Sequence, residues 1–309
     1  MSRTHVATLA TALLCMFAGS PVEAVQRAHV ASFGLDSNTS FNCDVVNPCR
    51  FFQAAMSVVD ANGEVVVLDS AGYGAVAITK SISLVAPTGV YAGISVFPGA
   101  TGVTIATAGV NVVLRGLTIN GQGGNTGISI TAGASLSVEN CAIANFSSNG
   151  ASGIFVDAAA KISVIETVLR NNSTAIWLQG GTTANISRVT ILGSVTGIYA
   201  TGYTAAMTIA AISDAFISGS SNAGIVATTG GAGASFRISV TRSTVSNGQY
   251  GILSSGPAGS VLTVSESMVT KNSYGFYREG AETFESLGNN AVRQNALNTV
   301  GTITVVPNL

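Results

Sequence analysis

Trp177, the single tryptophan of the chain, has Phe155 22 positions before it and Tyr199 22 positions after it. Asp157 and Gln179 follow two residues behind the first two of these rings. Flat aromatic groups beside hydrogen-bonding side chains are the ingredients of a sugar-binding groove, if the fold brings residues so far apart in sequence onto one surface. Breaking a sugar bond asks for more, namely two carboxylates several ångströms apart around it. The acidic candidates are Glu139, Asp157, Glu166, Asp214 and Glu266, followed by Glu279, Glu282 and Glu285. His29 is the one histidine left once an N-terminal leader containing His5 is set aside, so a histidine-dependent triad or metal site is not expected.

A repeat supplies the positioning. From Leu114 to Arg278 one pattern recurs seven times: an aliphatic residue, a second aliphatic five positions later, then a small residue followed by Ile or Phe. The first pairs run from Leu114/Ile119, Val138/Ile143 and Val164/Leu169 through Ile186/Ile191, Ile212/Ile217 and Val240/Val245 to Val264/Val269. The third anchors, Ile128, Ile154, Ile176, Ile198, Ile225, Ile252 and Phe276, are spaced 26, 22, 22, 27, 27 and 24 residues apart. That is the period of a stacked coil, not of a helical hairpin. Composition agrees: 9% of the residues are charged and 36 are glycine, against roughly 25% charged in an average soluble protein. A formal net charge of -1 gives no footprint for nucleic acid, and no apolar run is long enough for a transmembrane helix.

Parity identifies the coil. Alternate side chains of a strand face opposite ways, so Ile238 and Val240 both enter a core while Ser239 faces out. The step from Val240 to Val245 is odd, so a corner must intervene, and it recurs at the same place in every copy. Parallel strands then align like positions at about 4.8 Å, and crossovers between parallel strands are right-handed. A β-sandwich gives no reason for a corner at a fixed period. The expected fold is all-β, a right-handed parallel β-helix of about nine to ten coils with an N-terminal helical cap.

Runs such as Ile238-Ser239-Val240, Ser243-Thr244-Val245, Asn247 and Tyr250-Gly251-Ile252, together with the lead-in GEVVVLDSAGYGAVAITKSISLVAP, resemble the pectin-lyase-like parallel β-helix repeat superfamily. The resemblance covers the chain from about Cys43 to the C-terminus. It is specific for the fold and weak for function, since that superfamily includes polysaccharide lyases, glycoside hydrolases, esterases, tailspikes and many secreted proteins without assigned activity. A lyase of this kind would carry a calcium-binding cluster of acidic residues beside a basic catalytic residue. The coils here contain no Asp-x-Asp and no close acidic cluster.

Residues 1–24 read as a secretory signal: Arg3 and His5 precede an apolar run from Leu9 to Ala18, and Val22-Glu23-Ala24 suits cleavage. Export to the extracellular space or periplasm permits disulfides, and Cys43 and Cys49, separated by Asp-Val-Val-Asn-Pro, are the expected pair. Cys15 leaves with the signal, and Cys141 is expected as a buried thiol behaving as a small hydrophobe. Residues 25–63 form an N-terminal segment and capping helix, where Phe51, Phe52, Ala55, Met56 and Val59 recur at helical spacing up to Asn62-Gly63. Residues 64–278 make the β-helix and 279–309 a C-terminal coil or cap.

Most of the carboxylates have a structural reading. Two residues after each leading aliphatic come Gly116, Asn140, Glu166, Arg188, Asp214, Arg242 and Glu266. From Glu166 onward the sign alternates, and a register-fixing ladder of Glu166, Arg188, Asp214, Arg242 and Glu266 is expected at one corner. Asn145, Asn171 and Asn247 read as turn residues tolerating positive φ. Because Ile176 faces in, Trp177 faces out with Phe155 and Tyr199 on adjacent coils, either open to ligand or covered by a loop such as Gly180 to Ala184 or Ala200 to Ala206. The reading that follows is a secreted protein that binds carbohydrate or another cell-surface partner, with Phe155, Asp157, Trp177, Gln179 and Tyr199 as the substrate-binding set, no metal and no cofactor. The alternatives are a polysaccharide lyase or glycoside hydrolase using carboxylates of the same face, and a purely structural surface protein.

Overall fold

A computed structural model describes residues 25–203 and 205–307; the signal read at residues 1–24 lies outside them. The chain winds into a parallel β-solenoid of ten full turns among the described residues. Each turn contributes one strand to each of three sheets. Among the described residues the first sheet has 12 strands, from Arg27–Val30 to Thr304–Val305. The second has 10, from Ala71–Gly72 to Ala291–Arg293, and the third 10, from Val76–Ile78 to Leu297–Val300.

Each class of anchor read from the repeat stacks on its own kind. In the first sheet Val138, Val164, Ile186, Ile212, Val240 and Val264 are successive register partners. In the second, Ile143, Leu169, Ile191, Ile217, Val245 and Val269 align. In the third, Ile128 to Phe276 do the same. All are buried, so the core is a column of aliphatic rows with no gap along its axis. The small residue before the third anchor is set by backbone proximity. A Cβ at Gly197 would come within 2.4 Å of the Gly224 carbonyl oxygen, and one at Gly224 within 2.2 Å of a Val245 methyl.

The odd step between the first two anchors is absorbed by one left-handed residue. Gly116, Asn140, Glu166, Arg188, Asp214, Arg242 and Glu266 all have φ between 46° and 73°. A second corner, between the second and third sheets, uses Asn145, Asn171, Gly193, Gly219, Asn247, Lys271 and Gln294 in the same region. Each non-glycine there costs about 1 kcal/mol, and each corner breaks the backbone ladder, leaving an N–H without its strand partner. Inward side chains from the next coil fill that need. After the first corner, the Ala215 amide donates to Ser243 Oγ (3.1 Å), the Ser243 amide to Ser267 Oγ (3.2 Å) and the Ser267 amide to Asn290 Oδ1 (2.9 Å). After the second, the Phe146 amide donates to Asn172 Oδ1 (3.2 Å) and the Gly248 amide to Asn272 Oδ1 (2.9 Å). Buried Ser243, Ser267, Asn172 and Asn272 are therefore corner-satisfying residues.

Cys141 occupies one of these inward positions, 2% exposed and unbridged, with burial pushing its thiol pKa up to about 11. The cap helix is Phe52–Val58, shorter than the apolar spacing implies, and it buries Phe52, Ala55 and Met56. Asn62, with φ 66°, turns the chain into the strand Gly63–Val67 after the helix has ended. Asp36 accepts from the amides of Arg50 and Phe51 (3.0 Å each) and so fixes the two residues that lead into the helix. The Cys43–Cys49 disulfide braces this segment with both residues buried.

Strand pairing crosses both domain boundaries read from the sequence. Arg27–Val30 already belongs to the first sheet and pairs with Gly63–Val67. The register also runs on past Arg278 through Thr283–Ser286, Ala291–Arg293 and Leu297–Val300. The polar composition after residue 279 conceals this, because Asn290 and Asn295 donate to the Val264 and Val269 carbonyls (2.7 and 2.9 Å) from inward corner positions, Asn295 in the slot that Asn272 fills one coil earlier.

Candidate functional site

Phe155, Trp177 and Tyr199 are direct register partners in the third sheet, and Asp157 pairs with Gln179. The three rings do not lie flat in a row. Phe155 meets Trp177 at 5.4 Å with planes 87° apart, and Trp177 meets Tyr199 at 5.3 Å and 83°, so the stripe is an edge-to-face chain. All three are half-buried, a condition between full exposure and a covering loop, while Asp157 is exposed and Gln179 half-buried. Trp177 Nε1 is shielded and has no hydrogen-bond partner among the described residues. Burial raises the Tyr199 hydroxyl pKa above its ordinary value, against a hydrogen bond with Thr201 that lowers it.

The outward column does not stop at Tyr199. It continues through Val226, Leu253 and Tyr277, and beside it Tyr250 and Tyr274 stack at 5.0 Å with planes 16° apart. Tyr277 closes this triad edge-on at 4.9 Å to Tyr250 and 5.3 Å to Tyr274. Sequence reasoning missed Tyr250 and Tyr274 because they occupy the neighbouring outward column. Their signal was the repeated Tyr-Gly in Tyr250-Gly251 and Tyr274-Gly275.

At the charged corner the structure forms discrete pairs, not one uninterrupted ladder. Arg188 reaches back one coil to Glu166 (2.9 Å), and Arg242 reaches back to Asp214 with both Nε (2.9 Å) and Nη2 (3.0 Å). The hydrogen bonds from Arg242 hold the Asp214 carboxyl below its usual range, with the more distant Arg188 acting in the same direction. Glu266 lies beyond both pairs and adds only a longer-range attraction to Arg242. A guanidinium presents one fork, and each fork is spent on one carboxylate. One position before the corner residues Gly116 and Asn140, Arg115 pairs with Glu139 (2.8 Å), which also accepts from Ser137 (2.7 Å); the spacing rule had not singled this pair out.

These bonds commit Glu139, Glu166 and Asp214 among the carboxylates that sequence reasoning offered for catalysis. Glu282 is fully buried and accepts from Ser254 Oγ (2.7 Å) and the Gly256 amide (2.8 Å), and Glu285 accepts from Thr263 (2.9 Å). Asp157 beside Phe155 and Glu279 beside Tyr277 are exposed carboxylates along the aromatic column. Among the described residues no group of three or more His, Cys, Asp or Glu side chains converges as a cation site. His29 sits in the first strand with Nδ1 shielded and without a partner there, and burial lowers its pKa. No described helix is long and apolar enough to cross a membrane.

The solenoid, with its three parallel sheets and left-handed corner residues, defines the protein as a parallel β-helix. A family model for the right-handed β-helix region matches residues 64–212 and again 101–297, and the chain belongs to that family. No curated protein matches its sequence significantly. Among solved structures it is similar to pectate lyase Pel9A, with a TM-score of 0.55 and 15% identity over 92% of this chain and 78% of that one. At that identity the likeness is one of fold.

Proposed function

We propose that the protein is secreted and binds an extended polysaccharide along the outer face of its third sheet. The observation that carries the reading is the register of Phe155, Trp177 and Tyr199, three aromatic side chains on consecutive coils with Asp157 and Gln179 two residues beyond. Coils rise by about 4.8 Å, a pitch that lets one long, repetitive ligand touch several of them while each contact stays weak. Ring faces supply apolar area for the C–H surfaces of sugars, and the carboxylate and amide supply hydrogen bonds that orient them. The fold shared with a pectate lyase and the disulfide at the N-terminal end support the polysaccharide class and the extracellular setting respectively.

The test is retention on a panel of insoluble polysaccharides, with Trp177→Ala and Gln179→Ala beside the parent and circular dichroism on all three. Retention of the parent on one glycan, with a tenfold or greater loss in Trp177→Ala at unchanged β-signal, is the expected result. Equal retention of the parent and Trp177→Ala overturns the assignment of the site. New reducing ends or unsaturated products in the supernatant would show cleavage instead of binding and move the protein to the enzyme class.

A further inference from the structure

The first sheet carries a second recessed surface, on a different face from the aromatic stripe. A trough of about 700 Å³ runs across the outer side of five strands, within the roughly 300–1,000 Å³ typical of small-molecule sites. It exists because the outward residues are small: Thr183, Asn185, Ala211 and Ser239 leave room where larger side chains would fill it. Its apolar floor is Ile209, 36% exposed, with Ala211 two residues further along the same strand, while Val261 lies one strand beyond, on the other side of Arg237. No aromatic ring lines it.

Two cations flank this floor. Lys161, Thr183, Ile209 and Arg237 are successive register partners, which puts Lys161 and Arg237 three strand spacings apart, roughly 14 Å. Among the described residues neither side chain has an ion-pair or hydrogen-bond partner, in contrast to Arg115, Arg188 and Arg242, which each hold a carboxylate. Beyond Arg237, Glu285 is occupied by Thr263 at the far rim. An apolar floor bounded by unpaired positive charge does not suit a neutral sugar, whose hydroxyls would go unpaired over Ile209 and Ala211 and would find no ring to stack on.

We infer that this trough is a binding site for a small amphipathic anion, with an apolar body lying on Ile209 and Ala211 and a carboxylate or sulfonate paired with Arg237 or Lys161. Desolvating the aliphatic floor drives binding, and the charges select the sign and orientation of the ligand.

8-Anilinonaphthalene-1-sulfonate is the probe, and N-phenyl-1-naphthylamine, the same ring system without the sulfonate, is the control. The parent protein gives saturable fluorescence with the sulfonate. Arg237→Gln and Lys161→Gln together weaken it about tenfold or more while leaving the neutral dye unchanged. Ser239→Trp, placed on an exposed outward position, fills the trough and removes both signals, with circular dichroism confirming the fold. No saturable binding by the parent, binding that survives Ser239→Trp, or equal loss of the charged and neutral dyes in the double glutamine variant each overturns the inference. None of these outcomes bears on retention by insoluble glycans, so the two sites stand or fall separately.

Discussion

Replacing Asn272 with Ala removes a set of bonds that a corner cannot replace. Asn272 is 4% exposed and follows directly on the left-handed Lys271. Its Oδ1 accepts from the Gly248 amide at 2.9 Å, and its two Nδ2 protons are shared among the carbonyls of Thr270 (3.0 Å) and Val245 (3.3 Å) and Asn295 Oδ1 (3.1 Å). Three hydrogen bonds are thus made at any moment, and at about 1 kcal/mol net each the variant loses roughly 3 kcal/mol. The Gly248 amide is left without its acceptor inside the core. Asn272→Ser keeps an acceptor, as Ser194 does for the Asn172 amide (3.3 Å) in the equivalent position two coils from the stripe's first ring, so its loss is about half as large. Ser220 occupies the same slot after Gly219, yet its buried Oγ has no partner among the described residues, and Ser220→Ala is expected to be neutral or slightly stabilising. Denaturant unfolding gives the global change, and hydrogen exchange at the Gly248 amide gives the local one, because each coil of a solenoid leans only on its neighbours. Asn272→Ala within about 0.5 kcal/mol of the parent, with Gly248 as protected as before, would refute the account of the inward polar residues.

Ile176→Asp places a charge with no partner between Ile154 and Ile198, all fully buried, and is expected to abolish soluble folded protein, as read by expression and gel filtration. Arg188→Glu sets like charges beside Glu166 and should lower the melting temperature slightly, consistent with the roughly 0.2–1 kcal/mol of an exposed pair; adding Glu166→Arg restores the pair with reversed polarity and recovers it, most clearly at low salt. Glu139 is held below its usual range by Ser137 and then Arg115, so its contribution is present above the ordinary glutamate pKa of about 4.3 and disappears as pH falls through the lower folded value. Glu139→Gln should therefore melt below the parent at neutral pH and converge with it under strongly acid conditions.

The fold was legible because its periodicity is written in large aliphatic residues that have one place to go. Val138, Val164 and Ile186 cannot face water in every coil, and an odd step of five to the next anchor demands a corner whatever residue stands there. The site was less legible for reasons of the same kind. Parity could turn Trp177 outward, but the edge-to-face packing that half-buries it depends on ring rotation about bonds that spacing does not constrain. Alternation of sign predicted that charges would meet across coils, yet which neighbour an arginine chooses is decided by reach, and Arg188 and Arg242 both reach backward. The trough on the first sheet left almost no sequence signal, since it consists of what Thr183, Ala211 and Ser239 do not fill. Arg27–Val30 escaped notice because a single strand ahead of the helix has no repeat to belong to until the second strand lies beside it.

From Gly116 to Gln294 both described corners use a left-handed residue, and glycine would adopt that conformation without strain, but the chain mostly uses Asn, Glu, Asp, Arg, Lys and Gln there. A glycine would also widen the unfolded ensemble and raise the entropy lost on folding. A charged or amide side chain at the corner accepts about 1 kcal/mol of strain and reaches along the axis, as Arg242 does to Asp214 and as Asn171 does to Asn145 (3.3 Å). Corners and inward positions are thereby committed to holding the coils in register, and a substitution there acts on stability before it acts on anything else. Freedom to vary is confined to the outward positions of the strands. The first sheet spends its outward positions on small residues between two unpaired cations, and the third spends them on aromatic rings. A solenoid can carry two unrelated recognition surfaces in this way because neither face contributes to the core that supports the other.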